Sequence, residues 1–283
     1  SPCSSRAVSS EEKFMKEFVV NGESTLKNFT DNNCAPASFC FRTLLKAREI
    51  RVNGKKVSAD MPVKTGDKVQ YFLTLAQMCK RGFSVLFEDE FVAVIDKESG
   101  VNSEAVFADL AGQGDYRFIH RLDRNTAGLM VFAKGGEAEE ELLRAFRERD
   151  LEKVYFARVL GKMPKSKAVE EAYLVKDEQQ ARVKVSRNLV GEKIITEYEV
   201  VREEGETSLL RITLHTGKTH QIRAHMAYLN HPVAGDNKYG DDAYNRAHHL
   251  TRQQLIAKEL TFLTHGVLAY LNGKKFVSEQ NLT

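Results

Sequence analysis

A chain of 283 residues, 42% hydrophobic and 29% charged with no Trp, has an ordinary globular composition and the length for one sizeable core plus a small appended domain. It contains no apolar run near the ~18 residues of a membrane span, and a net charge of +3 is too small to argue for nucleic acid unless the charge is concentrated. Cys3, Cys34, Cys40 and Cys79 form no C-x-x-C pair, which argues against a zinc site or a disulfide framework and fits free thiols in a reducing cytosol.

Ser1-Pro2-Cys3-Ser4-Ser5 offers neither a hydrophobic signal core nor an amphipathic basic helix, and is expected to be a disordered lead-in. Basic charge then concentrates. Arg42, Lys46, Arg48, Arg51, Lys55 and Lys56 stand against a single Glu49, a local charge of +5 and dense enough for an RNA-binding footprint. Within it, Phe39-x-x-x-Thr43-Leu44-Leu45 predicts one short helix. Glu49 to Val57 predicts two alternating strands joined by Asn53-Gly54, the strongest short hairpin signal. Lys64-Thr65-Gly66-Asp67 adds a turn and Lys68 to Phe72 another strand. Helix, basic hairpin and Gly-Asp turn together resemble the alpha-L RNA-binding module first recognised in small-subunit ribosomal protein S-four. Lys13 to Leu26, where that module carries an upstream helix, departs from its pattern. The competing reading is a solvated hairpin without function, since charge runs commonly just face water.

Ala76 to Gly82 lacks periodicity and ends in Gly, so a linker is expected there. The expected organisation is an RNA-binding domain over 13–75, a linker over 76–84 and a second domain over 85–283. In the latter, strands are expected at Phe91 to Lys97, Leu129 to Lys134, Val154 to Leu160, Ile194 to Val201 and Leu209 to Leu214. Glu137 to Arg149 predicts a helix whose acids lead and whose Arg144, Arg147 and Arg149 trail, which suits the helix dipole. Asn272-Gly273 between Val267 to Leu271 and Lys274 to Val277 predicts a second hairpin. Hairpins mixed with helices point to an α+β sheet.

The stretch His120-Arg121-Leu122-Asp123-Arg124-Asn125-Thr126-Ala127-Gly128-Leu129 places one carboxylate between two arginines and runs on into an apolar segment. Arginine beside a carboxylate favours its ionised form, commonly by ~1 to 3 pKa units, and the Gly128 hinge predicts that Asp123 sits at a strand entrance. Taken alone, such a cluster reads as a surface ion pair in a turn. The ten residues, however, resemble the catalytic motif of RluA-type RNA pseudouridine synthases, in which Asp123 takes the place of the essential aspartate. Lys153-Val154-Tyr155-Phe156-Ala157-Arg158-Val159 resembles that family's second motif. Thr216 to His225, continuing to His231-Pro232-Val233-Ala234-Gly235-Asp236, resembles its third.

The resemblance implies a mixed, largely antiparallel central sheet with flanking helices around an RNA cleft. It makes Asp123, Tyr155 and Arg223 the catalytic set. Asp123 would act on the ribose, either by attack on C1′ or by removing the C2′ proton. Tyr155 would stack on the flipped uracil and offer its hydroxyl for the C5 proton. Arg223 would be the buried ion-pair partner of Asp123, by a charge-assisted bond that the guanidinium fork can make bidentate. Arg121 would fill the space vacated by the flipped nucleotide, and His120, Lys218, Thr219 and His220 would contact RNA. His220 and His225 are five apart on an expected helix, the wrong spacing for two ligands on one face, so no metal is expected, and the isomerisation requires no cofactor.

Lys97-Glu98-Ser99-Gly100 followed by Val101-Asn102-Ser103 departs from the Lys-Pro-x-Gly common among relatives, which places substrate choice in doubt more than catalysis. The expectation is therefore a cytoplasmic enzyme isomerising uridines, most simply in large-subunit (23S) ribosomal RNA, with no role for membrane, DNA or an obligate protein partner. Transfer RNA as substrate, a non-catalytic RNA-binding or ribosome-assembly protein, and a nucleoside hydrolase are the alternatives. The last typically needs a second positioned acid or a metal-bound water, and no paired carboxylate is evident.

Overall fold

Alternating apolar residues build two main sheets in the computed structural model, which describes residues 12–177 and 182–282, and Ser24–Thr25 pairs with Pro62–Val63 in a small third one. The lead-in and Cys3 lie outside the described residues. The first sheet runs in the order Lys13–Val19, Lys68–Thr74, Ile50–Val52, Lys55–Val57, antiparallel throughout. Its core is Leu26, Phe29, Leu44, Ile50, Val69, Tyr71 and Leu73, all buried. The buried Tyr71 hydroxyl is satisfied by that of Thr30 at 2.8 Å.

Asn53 and Gly54 make the expected hairpin turn, both with positive φ, 50° and 78°. The departure seen over Lys13 to Leu26 has a structural counterpart. Lys13–Val19 is a strand, paired along its whole length with Lys68–Thr74, and the helix that follows, Leu26–Asn33, is capped by the Thr25 side chain. The single helix expected around Phe39 is two, Ala35–Phe39 and Phe41–Ala47, interrupted at Cys40. The first residues of the expected linker are helical. Leu75–Cys79 is a helical turn closed by a capping box between Thr74 and Gln77, a signal that outweighs the missing periodicity. Cys34 and Cys40 are buried free thiols.

The large sheet has eleven strands among the described residues. Its path is Arg182–Ser186, Lys167–Asp177, Glu192–Glu204, Thr207–Leu214, Leu151–Leu160, Leu255–Phe262, Ala127–Lys134, Val92–Lys97, Phe83–Glu88, with Tyr116–Phe118 and Lys275–Val277 as side pairings. Among the described residues its pairings are antiparallel except where Ala127–Lys134 meets Leu255–Phe262 in parallel. The α+β expectation therefore holds.

Val92 to Ile95 and Leu129 to Ala133 read as unbroken apolar runs because both faces of the sheet are covered there. Ile95, Met130 and Phe132 join one core, while Val94, Val131 and Ala133 join another. Helix Gly136–Glu148 presses Ala138, Leu142 and Ala145 into the second. The second hairpin does not form. Gly266–Leu271 is a 3-10 helix that buries Leu268 and Leu271, and Lys275–Val277 pairs instead with Glu259 to Thr261. No helix among the described residues is long and apolar enough to cross a membrane.

Candidate active site

Three neighbouring strands set the floor of the site. Gly128 pairs with Ala257, and Ala257 pairs on its other side with Tyr155, where the ladder shifts register by a bulge. Gly128 has φ 112°, and a Cβ there would lie 2.2 Å from the Ala257 carbonyl oxygen. Only glycine allows the chain to leave the preceding loop and enter the sheet so close to its neighbour. The loop carrying Asp123 is thereby hung over the Tyr155 strand. Asp123 and Tyr155 line one cavity of about 520 Å³ with Arg121, Lys153, His220 and Arg223.

Arg223 lies on helix Gln221–Tyr228 and is 5% exposed. Its Nη1 donates to Asp123 Oδ2 at 2.8 Å, while Nε and Nη2 donate to the two oxygens of Asp236 at 2.6 and 2.9 Å. The bidentate bond expected for Asp123 thus belongs to Asp236, and Asp123 receives one hydrogen bond. Burial opposes the Arg223 charge, but the bonds and charges of Asp236, then Asp123, hold its pKa above the usual arginine value. Burial likewise opposes the Asp236 charge; Arg223 and the backbone N–H groups of Tyr239 and Lys238 overcome it and lower the carboxyl's pKa. Gly235, with φ 74°, supports this: a Cβ there would sit 2.0 Å from the Arg252 carbonyl oxygen, so the backbone can press Asp236 inward only without a side chain.

The flanking arginines do not pair with Asp123. Arg121 is 67% exposed and bridges to Glu104 at 3.0 Å. Arg124 donates from Nε to Asn102 Oδ1 at 3.1 Å. Tyr155 is buried, and burial together with the Asp123 charge raises its hydroxyl pKa, so the phenol rests protonated. His220, with φ 55° before the helix, sets Nε2 3.7 Å from Asp123 Oδ2 and Nδ1 2.9 Å from the Tyr239 hydroxyl. Burial lowers its pKa more than Asp123 raises it.

His120 lines the same cavity. Its Nε2 accepts the Val131 N–H at 3.0 Å, its ring lies against Phe146, and burial, then the Lys153 charge, push its pKa down to about 3. It therefore braces the Ala127–Lys134 strand as a neutral ring while bordering the cavity. Thr219 lines the cavity; Lys218 does too, bridged to Glu192 at 2.6 Å.

Arg42, Lys46, Arg48, Lys55 and Lys56 are exposed, and Arg51 stacks its guanidinium 4.7 Å from the Phe72 ring centre. Glu49 is engaged by Lys13 at 2.6 Å, leaving the patch's positive balance intact. Among the described residues no group of three or more His, Cys, Asp or Glu is placed to hold a metal ion.

Two lysines escaped the sequence reading. Lys97 is fully buried and donates to the carbonyls of Val101 at 2.7 Å, Arg124 at 3.0 Å and Glu98 at 3.1 Å. Burial lowers its pKa to about 7, the Asp123 charge partly offsetting the effect. Lys153 places Nζ 4.5 Å from the centre of the Phe146 ring, and burial lowers its pKa to about 8. A lysine closing the apolar strand before Gly100 was the available signal for the first; Asp236 was visible in its motif but carried no stated role.

Comparison with known proteins identifies the kind of enzyme to which this fold and cleft belong. Residues 92–228 match the model of the RNA pseudouridylate synthase family. The chain is 33% identical over 270 residues to ribosomal large subunit pseudouridine synthase C of Vibrio vulnificus (strain CMCP6), covering 85% of this chain and 84% of that protein. It is 30% identical over 236 residues to the protein of the same name from Escherichia coli (strain K12), covering 75% and 74%. Among solved structures, human RNA Pseudouridylate Synthase Domain Containing 1 superposes with a TM-score of 0.56 at 24% identity, over 64% of this chain and 79% of that one. Human RNA Pseudouridylate Synthase Domain Containing 4 gives 0.56 at 20%, over 71% and 88%. The chain belongs to the RluA-type RNA pseudouridine synthase family, and it is an isomerase converting uridine to pseudouridine in RNA.

Proposed function

We propose that this enzyme isomerises uridines of large-subunit ribosomal RNA, with Asp123 acting on the ribose, Tyr155 on the base and Arg223 as the fixed cation behind Asp123. The observation that carries the assignment is the single cavity in which Arg223 holds Asp123 at 2.8 Å beside the buried Tyr155 ring. The ribosomal substrate is supported by the names of the Vibrio and Escherichia relatives. The exposed basic residues between Arg42 and Lys56 support an RNA-binding domain over 13–75, with catalysis in 85–283.

Unstacking the target base costs a few kcal/mol, which contacts in the cleft must offset. The base then leaves C1′ by either of the two routes open to an ionised carboxylate. On the covalent route, Asp123 forms a sugar ester, uracil turns, C5 bonds to C1′ and the ester breaks. The C5 proton still has to depart. Because the Tyr155 hydroxyl rests protonated, it can accept that proton only by passing its own onward. The Asp123 carboxylate, regenerated as the ester breaks, takes the relayed proton, and transfer of a proton to N1, which left C1′ without one, completes the isomerisation and restores the carboxylate.

Tritium release from ribosomal RNA labelled at uridine C5, for wild type and Asp123→Asn, tests the reading. Stoichiometric release by the wild type alone supports it. Release from transfer RNA only would overturn the substrate, and silence on both from folded, RNA-binding protein would favour a non-catalytic role.

A further inference from the structure

We infer that Asp31, in the small N-terminal unit, is a positioning residue for the reaction, acting through Asn102 and Arg124 on the loop that carries Asp123; this rests on the roles proposed above. Asp31 lies on helix Leu26–Asn33 and is 1% exposed. One carboxylate oxygen takes the Lys27 ammonium and the Ser38 hydroxyl from its own unit. The other takes the Asn102 carboxamide N–H across the junction, with Arg124 Nη2 at 3.8 Å. Asn102 Oδ1 in turn accepts from Arg124 Nε at 3.1 Å, closing a triangle of three side chains.

Arg124 is the residue after Asp123. Its side chain is gripped by that triangle, and its carbonyl accepts from Lys97 Nζ at 3.0 Å and from the Gly100 N–H at 2.8 Å. The small unit is seated here, not merely tethered. Phe39 packs edge-on to Phe83 with ring centres 6.2 Å apart, and a Cβ on Gly82 would lie 2.5 Å from Val101 Cγ2 and 3.0 Å from Phe39 Cδ1. The junction therefore has side-chain packing as close as a protein interior.

The sequence shows why the triangle matters. With a guanidinium one residue from the reacting carboxylate, the local arrangement favours an Arg124–Asp123 pair. Asp31 and Asn102 draw that guanidinium away, leaving Asp123 to Arg223 and to the cavity. Without Asp31, Arg124 loses its carboxylate partner and competes with Arg223 for Asp123. A displacement of about 1 Å at a reacting group can cost roughly a hundredfold in rate.

Single-turnover tritium release at saturating ribosomal RNA, together with RNA affinity, decides it on the full chain. Asp31→Ala and Asn102→Ala are each expected to lower the rate constant roughly tenfold while leaving Kd within about twofold, and the double variant to fall no further than the lower single one, as expected for residues acting as one unit. Asn102→Ala decides alone if Asp31→Ala loses its cooperative melting transition. Rates within about twofold of wild type, or losses confined to Kd, overturn the inference while the proposed function stands. A wild type that releases no tritium overturns the functional reading and this inference with it.

Discussion

Arg223 serves two carboxylates with one guanidinium, and the division of its bonds separates structure from chemistry. Asp236, fully buried, receives the fork; Asp123, with 24% of its side chain exposed, receives one bond and keeps an oxygen for the cavity. Asp236→Asn breaks a buried charge pair and is expected to cost about 3 to 5 kcal/mol in urea denaturation. Asp123→Asn should lose turnover with little change in the urea midpoint. Tyr155→Phe keeps the ring that stacks on uracil but removes the proton relay. It is expected to bind RNA like wild type yet release C5 tritium at least roughly a hundredfold more slowly, a factor typical of one general acid–base group. Undiminished release would assign the C5 proton to Asp123 alone.

At the scale of elements, the strand entrance depends on Gly128. Gly128→Ala would place a methyl against the Ala257 carbonyl in a left-handed backbone, so a loss of about 2 to 4 kcal/mol is expected by thermal or urea melting, with activity falling alongside. The catalytic strands were legible because their signals are local: alternation in Leu210, Ile212 and Leu214, continuous apolar runs where both faces are covered, and Asn53-Gly54 at a turn. The errors arose where distant partners decided. Gly273 does make a turn, with φ 80°, but Leu268 and Leu271 reach a core by coiling, so the segment before it never becomes a strand. Arg121 and Arg124 looked like Asp123's partners by adjacency. Their actual partners, Glu104, Asn102 and Asp31, lie 17 to 93 positions away, and contacts at that separation leave no periodic trace.

For the whole molecule, two interior histidines set an acid limit. Burial pushes the His225 pKa down to about 4, and burial with the Lys153 charge pushes that of His120 to about 3, whereas an unfolded His titrates near pH 6.5. As the pH falls below ~6.5 the unfolded chain gains protons that the folded chain refuses, so stability present above that pH declines by about 1.4 kcal/mol per unit for each histidine. A loss of about 4 kcal/mol between pH 7 and pH 5 is expected in urea titrations, and His225→Gln should remove close to half of that slope. The continuous pairing of Gly128, Ala257 and Tyr155 has a consequence for the substrate. A hydrogen-bonded sheet under the cleft offers no hinge, so the distortion that exposes the base falls on the RNA. Target choice then follows the mechanical compliance of the nucleic acid: a uridine in a hairpin loop or beside a mismatch should react faster than the same uridine, in the same flanking sequence, within a perfect duplex.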